Sequence, residues 1–264
     1  MLILLALFAS IWASPAFAQP SQTQAIRGVP AQQIVSPSGI EAWLVSDSTV
    51  PIIVLRAYWR GGAAIEPENL VGVTGVMADM LTEGAGNLDA NAYKERLQDL
   101  NMGLSFGSGW DGVAMSLTTL SENRDAAFEM ARLALIEPRF DAGPLARIKR
   151  QMLVGLRTRE TNPGYLANLA LDQALYPDHS YARRSSLETT NAINRAALVE
   201  RRAALLTRAT LMVTLVGDID AVNAGRLLDF TFGALPAGAE PPEPADASLR
   251  PPAPLIVRTL PQPQ

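Results

Sequence analysis

Hydrophobic residues repeat with a period of two in some segments of this chain and with a helical period in others, and the order of these segments constrains the fold. Ile40, Ala42 and Leu44 lie on one face of an extended segment, and residues 53–59 alternate in the same way after Pro51. Both patterns predict strands. Because the connection between them is short, we expect the two strands to lie close together and antiparallel.

The segments that follow predict a further hairpin, one more strand and a series of helices. The hairpin covers residues 104–107 and 113–120 around Trp110-Asp111-Gly112, since Asp-Gly is a strong turn signal. Apolar spacing and capping residues predict helices at 69–82, 89–103, 123–136, 141–161, 165–175, 194–206 and 220–230, and a strand at 211–216. This order predicts an α+β domain, in which helices cover one face of a mostly antiparallel sheet.

Residues 1–18 have the features of a secretory signal peptide. Residues 2–12 form an apolar run that is too short to span a bilayer, and Ala16-Phe17-Ala18 matches a signal-peptidase site before Gln19. An uncleaved N-terminal anchor is the alternative interpretation. We expect an exported protein with no membrane segment after cleavage, and the abundance of Ala, Arg and Leu favours the bacterial periplasm.

Composition divides the rest of the chain into three parts. Residues 19–35 are rich in Gln, Pro and Ser, and they are predicted to form an extended N-terminal segment. Residues 36–236 carry the alternating strand and helix patterns of the domain. Residues 237–264 are rich in proline and predict a linker toward a missing second domain, with one short strand candidate at 255–258.

The chain has no cysteine and one histidine, His179, which excludes several kinds of chemistry. Disulfides, thiolate–zinc sites and cysteine catalysis are excluded, and a zinc site on this chain alone is not expected. No glycine-rich phosphate loop of the usual spacing is present, and the glycines of residues 103–112 fit the predicted hairpin and not a strand-to-helix turn. The net charge of −4 gives no reason to expect nucleic acid or an anionic membrane as a partner. The basic pairs Lys149–Arg150 and Arg201–Arg202 are interpreted as solvated helix faces.

Several short stretches, in order and with consistent spacing, carry a resemblance to a known family. They are residues 61–62, 70–73, 81–84, 117–123, 137–140, 176–181 and 216–220. Together they resemble the N-terminal half of the pitrilysin/insulinase zinc peptidases, the inverzincins, and in particular their processing-peptidase-like branch. The resemblance implies a metalloenzyme-type (LuxS/processing-peptidase-like) α+β domain.

Active members of that family carry His-x-x-Glu-His on the first helix, where two histidines bind zinc and the glutamate is the general base. The matching segment here is 75–79, so Gly75 and Asp79 replace the histidines and Ala78 replaces the glutamate. The resemblance places Gly155 at the third ligand. It therefore implies that the family's cofactor, zinc, is not bound and that the chain has no catalytic residue at these positions.

Two polar features near these positions leave an alternative open. Asp79 and Glu83 lie one helical turn apart, and such a carboxylate pair could weakly bind a hard cation. The favoured interpretation is that Glu83 caps or pairs locally while Asp79 is solvated. For His179, within a loop that also contains proline and aspartate, a structural role is favoured over catalysis.

In the two-subunit branch of the family, one subunit carries the zinc motif and its partner lacks it. The resemblance therefore implies a non-catalytic subunit that pairs with a catalytic zinc-peptidase homologue, closes the chamber and binds peptide substrates in extended form. The alternative is an assembly scaffold of the same fold with no role in proteolysis. An active peptidase is the third hypothesis, and it would require stoichiometric zinc.

Overall fold

The computed structural model describes residues 23–26, 28–243 and 257 of the chain. The signal peptide predicted at residues 1–18 lies outside the described residues. So does most of the linker predicted at 237–264, including all but Val257 of its strand candidate. The described residues form one sheet and a set of helices packed against it.

The strands of the sheet come from the first part, the middle and the last part of the described segment. They are β1 (Thr23–Ile26), β2 (Val29–Val35), β3 (Glu41–Ser46), β4 (Ile52–Arg60), β5 (Gly103–Ser108), β6 (Gly112–Leu120) and β7 (Leu211–Gly217). Their order across the sheet is β1-β2-β3-β7-β4-β6-β5. Only β3 and β7 are parallel neighbours, and every other neighbouring pair is antiparallel. The predicted α+β class with a mostly antiparallel sheet is thus confirmed.

The expected pairing of β3 with β4 is wrong, because β7 lies between them. β3 pairs with β7 in parallel, and β4 pairs with β7 antiparallel. Alternation of apolar residues identifies a strand, but it does not identify the strand's neighbour. The strand at 211–216 was therefore predicted, but local sequence patterns could not show that it lies between β3 and β4.

The sheet also begins earlier than residue 36, where the sequence analysis placed the start of the domain. β1 and β2 form a hairpin, and β2 continues the sheet beside β3. Ile34 is buried against the core, so this part of the extended segment belongs to the folded domain. The Gln-rich composition hides these strands, because a peripheral hairpin buries few apolar side chains.

The helices pack on one face of the sheet, as the sequence predicts. They are α1 (Val73–Met80), α2 (Ala90–Asp99), α3 (Arg124–Ile136), α4 (Ala142–Arg159), α5 (Pro163–Leu175), α6 (Leu187–Ala192), α7 (Arg195–Leu205) and α8 (Ala221–Phe232). Trp59 of β4 meets Phe232 of α8 edge to face, with ring centroids 6.1 Å apart. Across the described residues, no helix combines the length and the apolar character needed to cross a bilayer.

One helix begins later than predicted and one was not predicted, both for local reasons. The helix expected at 69–82 begins only at Val73, because Gly72 has a left-handed backbone with φ of 102°. The short helix α6 was not predicted. It is held by a capping box in which the Ser186 hydroxyl accepts from the Thr189 amide and the Thr189 hydroxyl accepts from the Ser186 amide.

The interpretation of the basic pairs as solvated helix faces is wrong for three of their four members. Arg201 is buried, and Arg202 donates to the carbonyl oxygens of Leu135 and Ile136 at the end of α3. Lys149 donates to the carbonyl oxygens of Asn191 and Ile193 at the end of α6. These cations satisfy carbonyl groups that helix ends leave unpaired, a role that only the tertiary structure reveals.

Candidate functional site

The positions that match the zinc motif lie on α1. Gly75 and Asp79 are four residues apart and therefore share one face of the helix. Ala78 is buried in the core, whereas Asp79 is exposed. A Cβ atom on Gly75 would lie 3.6 Å from the Ser108 hydroxyl oxygen, so this face of α1 points toward the end of strand β5.

The position that matches the third ligand, Gly155, lies on α4, which packs against α1. The end of the Met152 side chain lies within 2.7 Å of where a Cβ on Gly72 would be, so the two elements are in close contact. A Cβ on Gly155 would meet no atom within 4 Å. The fold therefore retains space at Gly75 and Gly155.

The residues at the four matched positions do not fit a zinc ion. Gly75 and Gly155 have no side chain, Ala78 has no group that could act as a general base, and Asp79 offers one carboxylate. A structural or catalytic zinc site requires at least three protein ligands. Among the residues that the structure describes, no group of three or more His, Cys, Asp or Glu side chains is placed to hold a metal ion.

The two carboxylates, Asp79 and Glu83, lie in different environments. The Asp79 side chain reaches solvent, but the protein around it removes part of its hydration and so raises its pKa, and the charge of Glu83 raises that pKa further. Burial also acts to raise the pKa of Glu83, but hydrogen bonds and charges from Lys94 and Arg147 outweigh it and leave that pKa lowered. The Lys94 Nζ and an Arg147 guanidinium nitrogen lie 2.8 and 2.5 Å from the Glu83 carboxylate. Glu83 thus joins α2 and α4 to the end of α1.

We predict that Glu83→Gln will destabilise the protein by about 1–3 kcal/mol near neutral pH, because it removes a charged acceptor from two cations. Since the pKa of Glu83 is lower in the folded state, its contribution is present above the ordinary carboxyl pKa and is lost as the pH falls through the lowered value. Urea unfolding at about pH 7 and about pH 3 tests this, and the difference between the two proteins should shrink at the lower pH.

The control for this prediction is the exposed ion pair between Arg226 and Asp125, whose side chains are 52% and 64% exposed. Asp125→Asn should cost less than about 1 kcal/mol at either pH, because solvent screens exposed pairs. A Glu83→Gln effect as small as the Asp125→Asn effect would contradict a structural role for Glu83.

A buried carboxylate holds the N-terminus of α1. The Glu66 carboxylate is 4% exposed, and it accepts hydrogen bonds of 2.7 Å from the amides of Gly72 and Thr74. These amides have no partner within the helix, and a negative charge complements the helix dipole there. Glu66 therefore fixes where α1 begins and how the face with Gly75 and Asp79 is presented.

Arg201 of α7 holds the same end of α1 from the other side. Its guanidinium donates to the Thr74 hydroxyl at 2.9 Å and to the carbonyl oxygens of Ile65 and Gly62 at 3.2 and 2.7 Å. Burial lowers the pKa of Arg201, and the charge of Glu66 raises it. Sequence reasoning missed both residues. One sequence feature could have predicted that Arg201 is buried. It lies on the same helical face as the buried residues Ala197, Leu198 and Leu205.

Strand β5 runs past this face of α1 at the edge of the sheet. Within the described part of the chain it pairs on one side only, with β6. Its other side presents backbone amide and carbonyl groups that an additional extended peptide can pair with. Since Ser108 ends β5 beside Gly75, an added strand would lie next to the positions that carry zinc in the active enzymes.

His179 has a structural role in its loop, as favoured from the sequence. Its Nδ1 atom accepts a hydrogen bond of 3.1 Å from the Tyr181 amide, and its ring lies 4.4 Å from the Tyr181 ring. Tyr181 donates to the Asp111 carboxylate at 2.6 Å and stacks near Trp110. The loop is thereby fastened to the turn between β5 and β6.

Comparison with known proteins identifies the class that this fold and site define. No family model matches the chain. The solved structure of a peptidase M16 inactive domain from Pseudomonas fluorescens superposes with a TM-score of 0.77 at 28% identity, covering 83% of this chain and 54% of that one. Pitrilysin shares the fold, with a TM-score of 0.69 at 18% identity, covering 81% of this chain and 24% of that one. The chain thus has the M16 peptidase fold and matches inactive proteins of that type, as predicted.

A curated relative agrees with this assignment. The non-peptidase homolog YmxG of Helicobacter pylori is 27% identical over 198 residues, which cover 74% of this chain and 46% of that protein. The periplasmic protease PqqL of Escherichia coli shares the fold, with a TM-score of 0.70 at 14% identity, covering 86% of this chain and 26% of that one. The chain spans about half the length of YmxG and of the inactive-domain structure.

Proposed function

We propose that this protein is a non-catalytic, exported homologue of the zinc peptidases that pairs with a zinc-bearing homologue and helps it to hold extended peptides. The proposal rests on one observation, which is that α1 has different residues at the motif positions but is still held firmly in place. Gly75, Ala78 and Asp79 have replaced the zinc-binding and general-base residues, while Glu66 and Arg201 still fix the helix beside the open edge of β5. The chain has the fold of the zinc peptidases, while the residues at these positions do not provide a zinc site.

The unpaired edge of β5 supports a role in peptide binding. A peptide that adds as a further strand gains backbone hydrogen bonds whatever its sequence, which suits a protein that handles extended substrates. The exposed side chains of β5 are small, since Gly103, Ser105 and Gly107 share its solvent-facing side. An incoming strand therefore meets little steric obstruction there.

The periplasm is the compartment we propose. The apolar run and the Ala-x-Ala site at residues 1–18 support export. The similarity to a protease described as periplasmic is consistent with that location. After removal of the signal peptide, the domain requires no disulfide and no cysteine chemistry in that oxidising compartment.

Co-expression with a zinc-bearing homologue from the same organism tests the proposal. We expect the two proteins to co-purify, and we expect peptide cleavage by the homologue to rise at least about tenfold when this chain is present. Unchanged cleavage without co-purification would exclude a partner role. Co-purification with unchanged cleavage would instead favour the assembly-scaffold alternative.

A pair of lysine variants tests the role of the β5 edge. Gly107 and Thr118 are both exposed and lie on neighbouring strands, but only Gly107 is on the open edge. We predict that Gly107→Lys will reduce the stimulated cleavage at least about threefold, because a charge on an edge strand discourages pairing. Thr118→Lys adds the same charge one strand inward, and it should leave stimulated cleavage within about twofold of the parent. Equal effects of the two variants would contradict peptide binding at this edge.

A further inference from the structure

A groove among the helices is lined by no residue of α1 and is not used by the proposed function. It has a volume of about 470 Å³ and runs between the first half of α4 and the loop that joins α6 to α7. Volumes of this size are typical of pockets that take a ligand or several side chains.

The floor of the groove is apolar and fixed. It is formed by Phe140, Leu145 and Ile193, which are 1%, 8% and 1% exposed, so these side chains are already held in the core. Leu153 and Ala146 of α4 form a wall that remains accessible. A preformed apolar floor favours an apolar side chain from a partner, because little ordering is needed on binding.

The backbone at the floor is strained. Phe140 has φ of 49°, in the left-handed region that bulky residues rarely adopt. This conformation turns the chain sharply between α3 and α4, and the Phe140 ring lies in the core beneath the groove. Such strain persists only where the surrounding structure enforces it, and it is concentrated at functional positions.

The rim of the groove is positively charged. Lys149, Arg150 and Arg195 line it, and no aspartate or glutamate does. Lys149 and Arg195 donate to carbonyl oxygens, and none of the three cations forms an ion pair within the described residues. The rest of the chain is acidic enough to give a net charge of −4, so this local excess of positive charge is a distinct feature. It complements a negatively charged partner.

We propose that this groove binds a short acidic, apolar segment of a partner protein, in which one or two large apolar side chains are flanked by Asp or Glu. The apolar side chains enter the groove over Phe140 and Ile193, and the flanking carboxylates meet the cations of the rim. Arg150 is the main recognition residue, because it is exposed and makes no hydrogen bond or ion pair within the described chain.

Binding of fluorescent decapeptides, measured by anisotropy with the full-length chain, tests this proposal. The probe set has Asp or Glu around two positions that carry Leu, Ile or Phe. One control set has Lys in place of the acids, and the other has Ala in place of the large apolar residues. We expect the probe set to bind at least about tenfold more tightly than either control set. No binding, or equal binding of the acidic Ala set, would overturn the proposal.

Variants of α4 test whether the probe peptides bind in the groove. Arg150→Glu should weaken binding of the probe set at least about tenfold, whereas Arg157→Glu should change it less than about twofold. Arg157 is equally exposed and unpaired on α4, but it does not line the groove. Ala146→Trp fills the groove without changing charge, and it should also abolish binding. Equal losses for Arg150→Glu and Arg157→Glu would show only a diffuse charge effect and overturn the proposal.

Two further outcomes would replace the proposed partner with another one. Self-association of the chain that is lost in Arg150→Glu would identify a second copy as the occupant. Binding to phosphatidylglycerol vesicles that requires Arg150, without binding of the probe peptides, would identify an anionic lipid surface. Either outcome overturns the proposal of an acidic protein segment, and neither affects the co-expression test of the proposed function.

Discussion

Arg201→Met will destabilise the folded protein by about 3–5 kcal/mol. The arginine is 8% exposed and donates hydrogen bonds to Thr74, Ile65 and Gly62. Methionine fills much of the same volume, but it leaves these buried acceptors without a donor, and it leaves the buried Glu66 carboxylate without the nearby positive charge. Guanidinium chloride unfolding followed by circular dichroism measures the loss.

The matched control is Arg157→Met, on an exposed part of α4 with no ion pair or hydrogen bond in the described chain. It should change the free energy of unfolding by less than about 0.5 kcal/mol. If Arg201→Met were equally mild, the hydrogen bonds of Arg201 would not be holding the start of α1, and the position of the face with Gly75 and Asp79 would need another cause.

The second large effect is expected when the zinc ligands of the active family members are introduced at the matched positions, because the protein should then bind a metal ion. We predict that Gly75→His, Asp79→His and Gly155→Glu together will create a site for about one zinc ion per chain. A Cβ at Gly155 meets nothing within 4 Å, and one at Gly75 meets only the Ser108 hydroxyl oxygen at 3.6 Å. Replacing two helical glycines also favours the helices. Metal analysis after dialysis gives the stoichiometry.

The double variant without Gly155→Glu is the control for the position of the third ligand. It should bind zinc at least about tenfold more weakly than the triple variant, because two protein ligands leave the coordination incomplete. A folded triple variant that binds no zinc would show that α1 and α4 no longer present these positions to a common point. The interpretation that the fold still brings these three positions together would then be wrong.

Local sequence patterns were sufficient to predict most elements and the class of the fold. The Asp-Gly turn between β5 and β6 and the cap at Asp89 are encoded within a few residues, and both appear as expected. The central position of β7 was not predictable, since its pairing with β3 and β4 depends on contacts across most of the chain. Apolar alternation is the same for a strand in any position of the sheet.

At the candidate site, the sequence was sufficient to identify the replaced motif positions, but it did not reveal the residues that hold α1 in place. The replacements at Gly75, Ala78 and Asp79 could be identified because the stretches around them still resemble the family. The roles of Glu66 and Arg201 could not, because a charged residue at a helix terminus and one inside a helix are usually solvated. Arg201 is buried where α7 packs against α1, and Glu66 is buried in the segment before α1, so neither environment is encoded by a local pattern.

The central claim is that the fold has been kept without the zinc chemistry. Zinc content and peptide cleavage of the purified, folded full-length protein after incubation with excess zinc and dialysis test it most directly. We predict no stoichiometric zinc and no cleavage by the protein alone. About one zinc per chain, together with cleavage that a chelator abolishes, would show an active metallopeptidase and contradict the account.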